Sequence, residues 1–362
     1  MNEVSSSFWA ATWRRLRKNR GALVGLVLIC VAVFIALFGY FLAPDPSPFS
    51  NRIILEIGGE KPGFSKSFLL VKKTTLPAET DFLERLVGGR SDIVDYLPIE
   101  NWQQSGDSII VQKTIDEGLT ERLSFSKDAL AAEPVITQTF HLGTDKYGRD
   151  ILSRLIIGTR ISLSVGLITV IISLFLGIVL GAVAGYFRGR TDNAVMWLIN
   201  VIWSVPTLLL VFAITLLLGK GFWQVFIAVG LTMWVNVARL VRGQVLAARE
   251  LQYVEAAKAL GYSHLRIISR HILPNILGPI LVIAASNFAS AIVIEAGLSF
   301  LGVGVQPPQP SWGLMIKENY NFIITNNPML ALAPGFAIML LVLAFNLLGN
   351  GLRDALNVRG KL

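Results

Sequence analysis

Six apolar runs set the terms on which this chain can fold. They cover about Gly21 to Leu42, Ile161 to Tyr186, Met196 to Leu218, Phe222 to Ala238, Ile276 to Ile294 and Met329 to Leu348. As a helix rising about 1.5 Å per residue, the first is roughly 33 Å long, enough to cross a bilayer core of about 30 Å. In hydrocarbon each backbone polar group must be satisfied within its own segment, so runs of this length cross as helices. The composition agrees: 53% of residues are hydrophobic and 15% charged, too apolar for an ordinary soluble domain. The expected fold is an all-α polytopic membrane protein with six transmembrane helices.

Charge supplies the orientation. The net charge of +8 does not point to nucleic acid, because the basic residues gather beside apolar runs, as the positive-inside rule requires. Arg14, Arg15, Arg17, Lys18 and Arg20 precede the first run, "RGRTD" follows the second, and Arg239, Arg242, Arg249, Lys258, Arg266 and Arg270 follow the fourth. The intervening linkers, "GKG" and "QPPQPSWGLMIKENYNFIITNN", carry one lysine each. Six spans satisfy this alternation and place both termini and the linker after the fourth span in the cytoplasm. The first run is longer than a signal peptide's apolar region and lacks a clear cleavage site, so it reads as a retained span. A single cysteine, Cys30, excludes a disulfide framework, and His141, His264 and His271 are too scattered for a metal site. No cofactor is expected.

Residues 43–160 form a soluble segment long enough to cross the membrane regardless of its charges. "RIILEIGG", "SFLLVKK" and "SIIVQKT" read as strands, and "AETDFLERLVGG" as a short helix closed by glycines. The expected organisation is a cytoplasmic N-terminus and first span over 1–42, a small α+β extracytoplasmic insertion over 43–160, and a five-span core over 161–350. The core includes a cytoplasmic loop at 239–275, and a cytoplasmic tail follows at 351–362.

Inside the spans, Gly177, Gly181 and Gly185 share one helix face, either for close static packing or as a sliding surface. Pro206 removes a backbone hydrogen bond within the third run, giving a kink beside a pathway or a bend absorbed by neighbours. Asn236, Asn287, Asn346 and Glu295 are candidates to line a polar pathway, although interhelical hydrogen bonding or a local pair explains them equally well. Just before the second span stand Gly143, Thr144, Asp145, Gly148, Arg149 and Asp150. Arg149 can pin a turn with either aspartate, or the group can touch a solute; catalysis with His141 lacks a visibly placed nucleophile and base. No catalytic residue is assigned.

The most patterned polar stretch is "EAAKALGYSHLRIISRHILPN", Glu255 to Asn275. Its first part favours a helix carrying Tyr253, Ala256 or Ala257, and Leu260 on one face. Gly261 suits a positive φ that ends it. Ser263 can cap a second helix, with Leu265, Ile268 and Ile272 as an apolar stripe and Pro274 closing the unit. The chain has no GxxxxGK[ST]: "LLGKGF" has Gly221 where the hydroxyl residue belongs. If ATP drives this protein, that device lies on another polypeptide.

The Glu-Ala-Ala, Gly, Leu-Pro spacing resembles the cytoplasmic loop of type I ABC importer permeases. "HLGTDKYGRDILSRLIIGTRISL", "EAGLSFLGVGVQPPQPSWGLMI" and "WRRLRKNRGALVG" are similar to signatures of the C-type subunit of the dipeptide, oligopeptide and nickel permease family. The departures are His271, where the family often has an aliphatic residue, and Leu142, where it often has proline. The resemblance covers about 8–42 and 140–362, not 45–139. It implies that Glu255, Ala256, Ala257, Gly261, Leu273 and Pro274 contact an ATPase. It further implies a B-type permease partner, two cytoplasmic ATP-binding subunits, an extracytoplasmic substrate-binding protein, and a place in the cytoplasmic membrane of a prokaryote. The solute is a peptide or, alternatively, nickel or another small molecule. A secondary transporter would more commonly show internal repeats, which are not evident, and an anchored enzyme or sensor would not need six spans.

Overall fold

The computed structural model describes residues 8–74, 81–116, 118–219, 221–324 and 327–356. The chain separates into two compact units, one of Met1–Ala32, Ser162–Gln306 and Ile338–Leu362, the other of Val33–Ile161 and Pro307–Ala337. Along the chain the helices are α1 (Phe8–Leu16), α2 (Arg20–Leu42), α3 (Phe82–Gly88), α4 (Ile151–Phe187), α5 (Gly189–Trp203) and α6 (Thr207–Leu218). They continue with α7 (Phe222–Ala248), α8 (Gln252–Ala259), α9 (His264–Arg266), α10 (Leu277–Phe300), α11 (Trp312–Asn319) and α12 (Met329–Leu356).

Five helical stretches among the described residues are long and apolar enough to cross a membrane: α2, α4, α7, the continuous His264–Phe300 stretch, and α12. A sixth is obtained if α5 and α6 count as one span, although they meet at 91°. The third apolar run is therefore broken rather than merely kinked at Pro206. Proline lacks the N–H that would continue α5 and disfavours a helical conformation at Val205, so Pro206 becomes the residue before α6. Several helices outrun their apolar stretches. α4 begins at Ile151 and α7 ends at Ala248, while α12 reaches Leu356, within the expected tail; residues 357–362 of that tail lie outside the described residues.

In the first unit, the three glycines of α4 face α7. A Cβ would stand 2.4 Å from the Val237 Cβ at Gly177, 2.5 Å from the Ala238 carbonyl oxygen at Gly181, and 2.7 Å from the Arg242 carbonyl oxygen at Gly185. Only hydrogen fits there, so two backbones approach along a shared stripe. On α7, Val237, Val241, Val245 and Ala248 recur at helical spacing and pack with Ile267, Ile272, Ile276 and Ile280. At the N-terminus, Leu16 and Ala22 meet Ala355, with Arg15 Nη1 donating to the Ala355 carbonyl at 3.4 Å.

Pro274 does not close a separate unit. A π turn at Ile267–Ile272 and a 3-10 turn at Leu273–Ile276 carry the helix past it into α10. The looser turn accommodates the proline ring and the carbonyl it leaves without a donor. The apolar stripe also shifts: Ile267, Ile268 and Ile272 are buried, while Leu265 is 77% exposed.

In the second unit, a five-stranded antiparallel sheet has the order β4-β3-β2-β1-β5. The strands are β1 (Phe64–Lys72), β2 (Val94–Ser105), β3 (Ser108–Asp116), β4 (Leu119–Ser126) and β5 (Leu130–Phe140). β2 is divided: residues up to Ile99 pair with β1, and those from Ile99 onward with β3. Pro98, which has no N–H to give, thus stands where the β3 pairing has ended. One face buries Leu69, Ile99, Ile109, Val111 and Leu130; the other buries Phe68 and Phe140 beneath Ile54 and Ile57. "SFLLVKK" and "SIIVQKT" are strands, but "RIILEIGG" is not. Ile54 and Ile57 are spaced for the 3-10 turn Leu55–Ile57, which covers the sheet. The helix reading of "AETDFLERLVGG" holds from Phe82, with Asp81 and Glu84 forming a capping box; residues 78–80 lie outside the described residues.

Candidate functional site

The linker after α7 builds a short helix held from one side and open on the other. Val254 and Ala257 of α8 are buried in the core formed by α7 and the π turn. Glu255, Ala256, Gly261 and Pro274 are exposed, Leu273 is half-buried, and Leu260 and Leu265 are 73% and 77% exposed. Of the six residues expected from the resemblance to contact an ATPase, Ala257 is thus an anchor and the exposed members form the free face.

Gly261 ends α8 with φ +77°. Its N–H donates to the Lys258 carbonyl at 2.9 Å, and the Tyr262 N–H donates to the Ala257 carbonyl at 3.2 Å. These are the two bonds of a Schellman closure, which requires a left-handed residue at this place. Ser263 occupies the capping position of α9 without a side-chain hydrogen bond. Three contacts not legible beforehand fix the element. The Tyr186 hydroxyl and His264 Nδ1 are 3.0 Å apart, Arg249 Nη1 donates to the Tyr186 carbonyl, and Asn275 Nδ2 donates to the Tyr253 hydroxyl at 3.3 Å. Tyr186 looks like an ordinary span terminus in sequence; only the fold puts it beside residue 264.

The five pathway candidates do not converge. Asn236 lines a cavity of about 190 Å³ with Trp203, Thr207, Thr232 and Ser290, next to the break at Pro206. Asn287 is buried, with Nδ2 3.4 Å from the Ser173 Oγ. Glu295 is buried and accepts from the Ser299 hydroxyl at 2.6 Å, and that hydroxyl oxygen accepts the Val305 N–H at 3.0 Å. Asn346 is exposed on α12. Glu295 therefore belongs to a local hydrogen-bonded turn.

In the second unit, residues 143–150 form a compact knot. Gly143 and Gly148 have φ +81° and +72°. A Cβ there would stand 2.2 Å from the Glu60 carbonyl oxygen and 1.7 Å from that of Ile54. Asp145 Oδ1 accepts the N–H groups of Tyr147 and Arg149 at 2.9 and 3.0 Å, and its Oδ2 accepts Arg149 Nε at 2.6 Å. Thr144 Oγ1 donates to the Ile57 carbonyl. Asp150 precedes α4 and accepts the Ser153 N–H at 2.9 Å, as a helix cap does. Burial raises the Asp150 carboxyl above its ordinary pKa, against the lowering by Ser153.

Two residues not singled out in the sequence complete this knot. Glu318 of α11 accepts Arg149 Nη2 at 2.8 Å and Arg154 Nη2 at 3.3 Å. Arg149, Arg154, Asp145 and Glu318 are all nearly buried and carry balanced charge. Such a set fixes a turn geometrically. The visible clue was a basic residue, Arg154, near the start of an apolar helix.

Comparison with known proteins adds to this geometry. The relatives include the dipeptide transport system permease protein DppC of Alkalihalophilus pseudofirmus, 37% identical over 74% of this chain and 92% of that protein. The glutathione transport system permease protein GsiD of Pectobacterium atrosepticum is 42% identical over 61% of this chain and 73% of that protein. The oligopeptide transport system permease protein OppC of Bacillus subtilis is 37% identical over 69% and 82%, respectively. Among solved structures, the inward facing MetNI methionine ABC transporter aligns with 57% of this chain and 96% of that chain, with TM-score 0.47 and 17% identity. Residues 7–54 match the N-terminal TM domain of oligopeptide transport permease C. Residues 177–360, half of the sequence, match the binding-protein-dependent transport system inner membrane component, and the chain belongs to that family of membrane transport proteins.

Proposed function

We propose that this chain is one of two membrane subunits of an ATP-binding-cassette importer for peptides or peptide-like small solutes. The observation that carries the reading is α8 and the turn after it: a short helix anchored by Val254 and Ala257 and closed by Gly261, with Leu260 at its end and Leu265 of α9 left uncovered. A helix so built transmits force through its anchors while presenting an unfilled apolar face to a neighbour. Relatives named as dipeptide, oligopeptide and glutathione permeases support the solute class.

In this reading both termini and α8 face the cytoplasm, and residues 43–160 face outward, as the distribution of basic linkers requires. A B-type permease partner, two ATP-binding subunits and an external binding protein complete the complex. Closure of the ATPases presses on Glu255, Ala256, Gly261 and Pro274. The push passes through Ala257 and the valines of α7 to the Gly177, Gly181 and Gly185 contact. The helices then exchange outward-open and inward-open arrangements.

The test is purification in mild detergent followed by reconstitution with the external binding protein. The expected result is copurification of a second permease and ATPase subunits, with uptake of short peptides that requires ATP. Gradient-driven uptake by this chain alone would overturn the reading.

A further inference from the structure

The cavity beside the break in the α5–α6 pair has a chemistry of its own. Thr207, Asn236 and Ser290 line it and are exposed, and none makes a side-chain hydrogen bond among the described residues. Ile202, Leu210, Met233 and Ile294 supply apolar walls. The cavity measures about 190 Å³, room for roughly six waters at about 30 Å³ each. That is the size of one residue-like end of a solute.

A cation lies against one of the lining side chains. Trp203 lines the cavity, and the Arg239 guanidinium lies over its ring, 3.6 Å from the centroid. Nearby arginines have carboxylates: Arg242 reaches Asp192 at 2.7 Å, Arg188 reaches Glu250 at 2.6 Å, and Arg249 reaches Glu250 at 3.4 Å. Arg239 forms no ion pair among the described residues. Its Nη2 reaches only the Asn200 Oδ1 at 3.5 Å, and its Nε is buried without a hydrogen bond. At the cytoplasmic end of a membrane helix, a guanidinium without a counter-charge keeps donors to offer an anion. The contact with Trp203 holds the guanidinium in place, and its Nη1 makes no hydrogen bond among the described residues, leaving that end for a carboxylate.

We propose that this cavity is a solute-binding station for a small molecule with a free carboxylate, such as the C-terminal residue of a short peptide. Arg239 takes the carboxylate, Asn236 and Thr207 take polar groups beside it, and the apolar walls take the side chain. A phosphate dianion suits it less, because one arginine leaves half its charge without a partner among apolar walls. This assignment rests on the importer reading above.

The test uses the assembled complex in proteoliposomes, with Cys30→Ser to remove the single cysteine and Ser290→Cys to place a thiol in the cavity. Alkylation by a small maleimide is timed with trialanine or trialanine amide present. Trialanine should slow labelling about tenfold, the factor expected when 1.4 kcal/mol of affinity depends on the free acid, and the amide should protect little. Adding Arg239→Gln should erase the difference between acid and amide, and Arg239→Lys should restore part of it. Equal protection by acid and amide, or retention of the difference in Arg239→Gln, overturns the carboxylate assignment. ATP-driven trialanine uptake without protection overturns the cavity assignment alone. Absence of both uptake and protection overturns the peptide reading and the cavity assignment together.

Discussion

Replacing Gly261 with valine isolates the backbone as a mechanical part. No heavy atom lies within 4 Å of a Cβ built at Gly261, so the substitution meets no clash with neighbouring residues. Its cost comes from φ +77°, a left-handed conformation that L-residues adopt at roughly 1–2 kcal/mol, with β-branched residues at the upper end. At about 2 kcal/mol the preference for the Schellman turn falls roughly 30-fold. The bonds from Gly261 to Lys258 and from Tyr262 to Ala257 then compete with other turn geometries, and the exposed face of α8 loses its fixed direction. Domain stabilities of about 5–15 kcal/mol leave the membrane core folded. In reconstituted complexes, ATP-dependent uptake by the valine variant should fall severalfold relative to ATP hydrolysis, while membrane insertion is retained. Gly261→Asn is the control, because asparagine tolerates this conformation and should preserve most coupling. Wild-type uptake in the valine variant would refute the argument, as would equal losses in the asparagine and valine variants.

Gly181→Val should cost about 1–3 kcal/mol by overpacking, since its Cβ would fall 2.5 Å from the Ala238 carbonyl oxygen and 2.9 Å from the Val241 Cβ; thermal unfolding of the purified subunit measures it. Glu318→Ala leaves the buried Arg149 and Arg154 without their shared acceptor and should destabilise the second unit by about 3–5 kcal/mol, read as lowered protease resistance. Tyr186→Phe removes the hydroxyl beside His264 at 3.0 Å; a loss of about 1 kcal/mol should lower transport per ATP hydrolysed without reducing expression.

The membrane helices are legible because a bilayer imposes one length and one composition on them. Their ends are less so: once the apolar run stops, nothing in hydropathy says that α7 continues to Ala248 or that α4 begins at Ile151. Pro206 and Pro274 show why a proline is ambiguous in sequence. At Pro206 the chain breaks, whereas at Pro274 a π turn absorbs the lost bond, and the difference lies in packing. Gly261 and the Gly177, Gly181 and Gly185 stripe are visible in sequence because glycine is defined by what it lacks. Tyr186, Arg239 and Glu318 are hidden because their partners, His264, Trp203 and the pair Arg149 and Arg154, are distant in sequence. Within the insertion, "RIILEIGG" has the hydrophobicity of a strand, but its backbone bonds go elsewhere: the Ile54 N–H to Tyr147 and the Gly59 N–H to Asp145.

The way the sheet is hung also bears on how such a chain is assembled over evolutionary time. Phe64 opens β1 and Phe140 closes β5, and the two are directly paired. Opposed residues of an antiparallel pair lie about 4.5–5.5 Å apart, so the sheet enters and leaves through one doorway. A hairpin turn of a few residues could bridge that doorway after everything between it was excised. Residues 55–176, which neither family model matches, thus contain a cassette with adjoining ends, suited to gain, loss or exchange without rerouting the chain on either side.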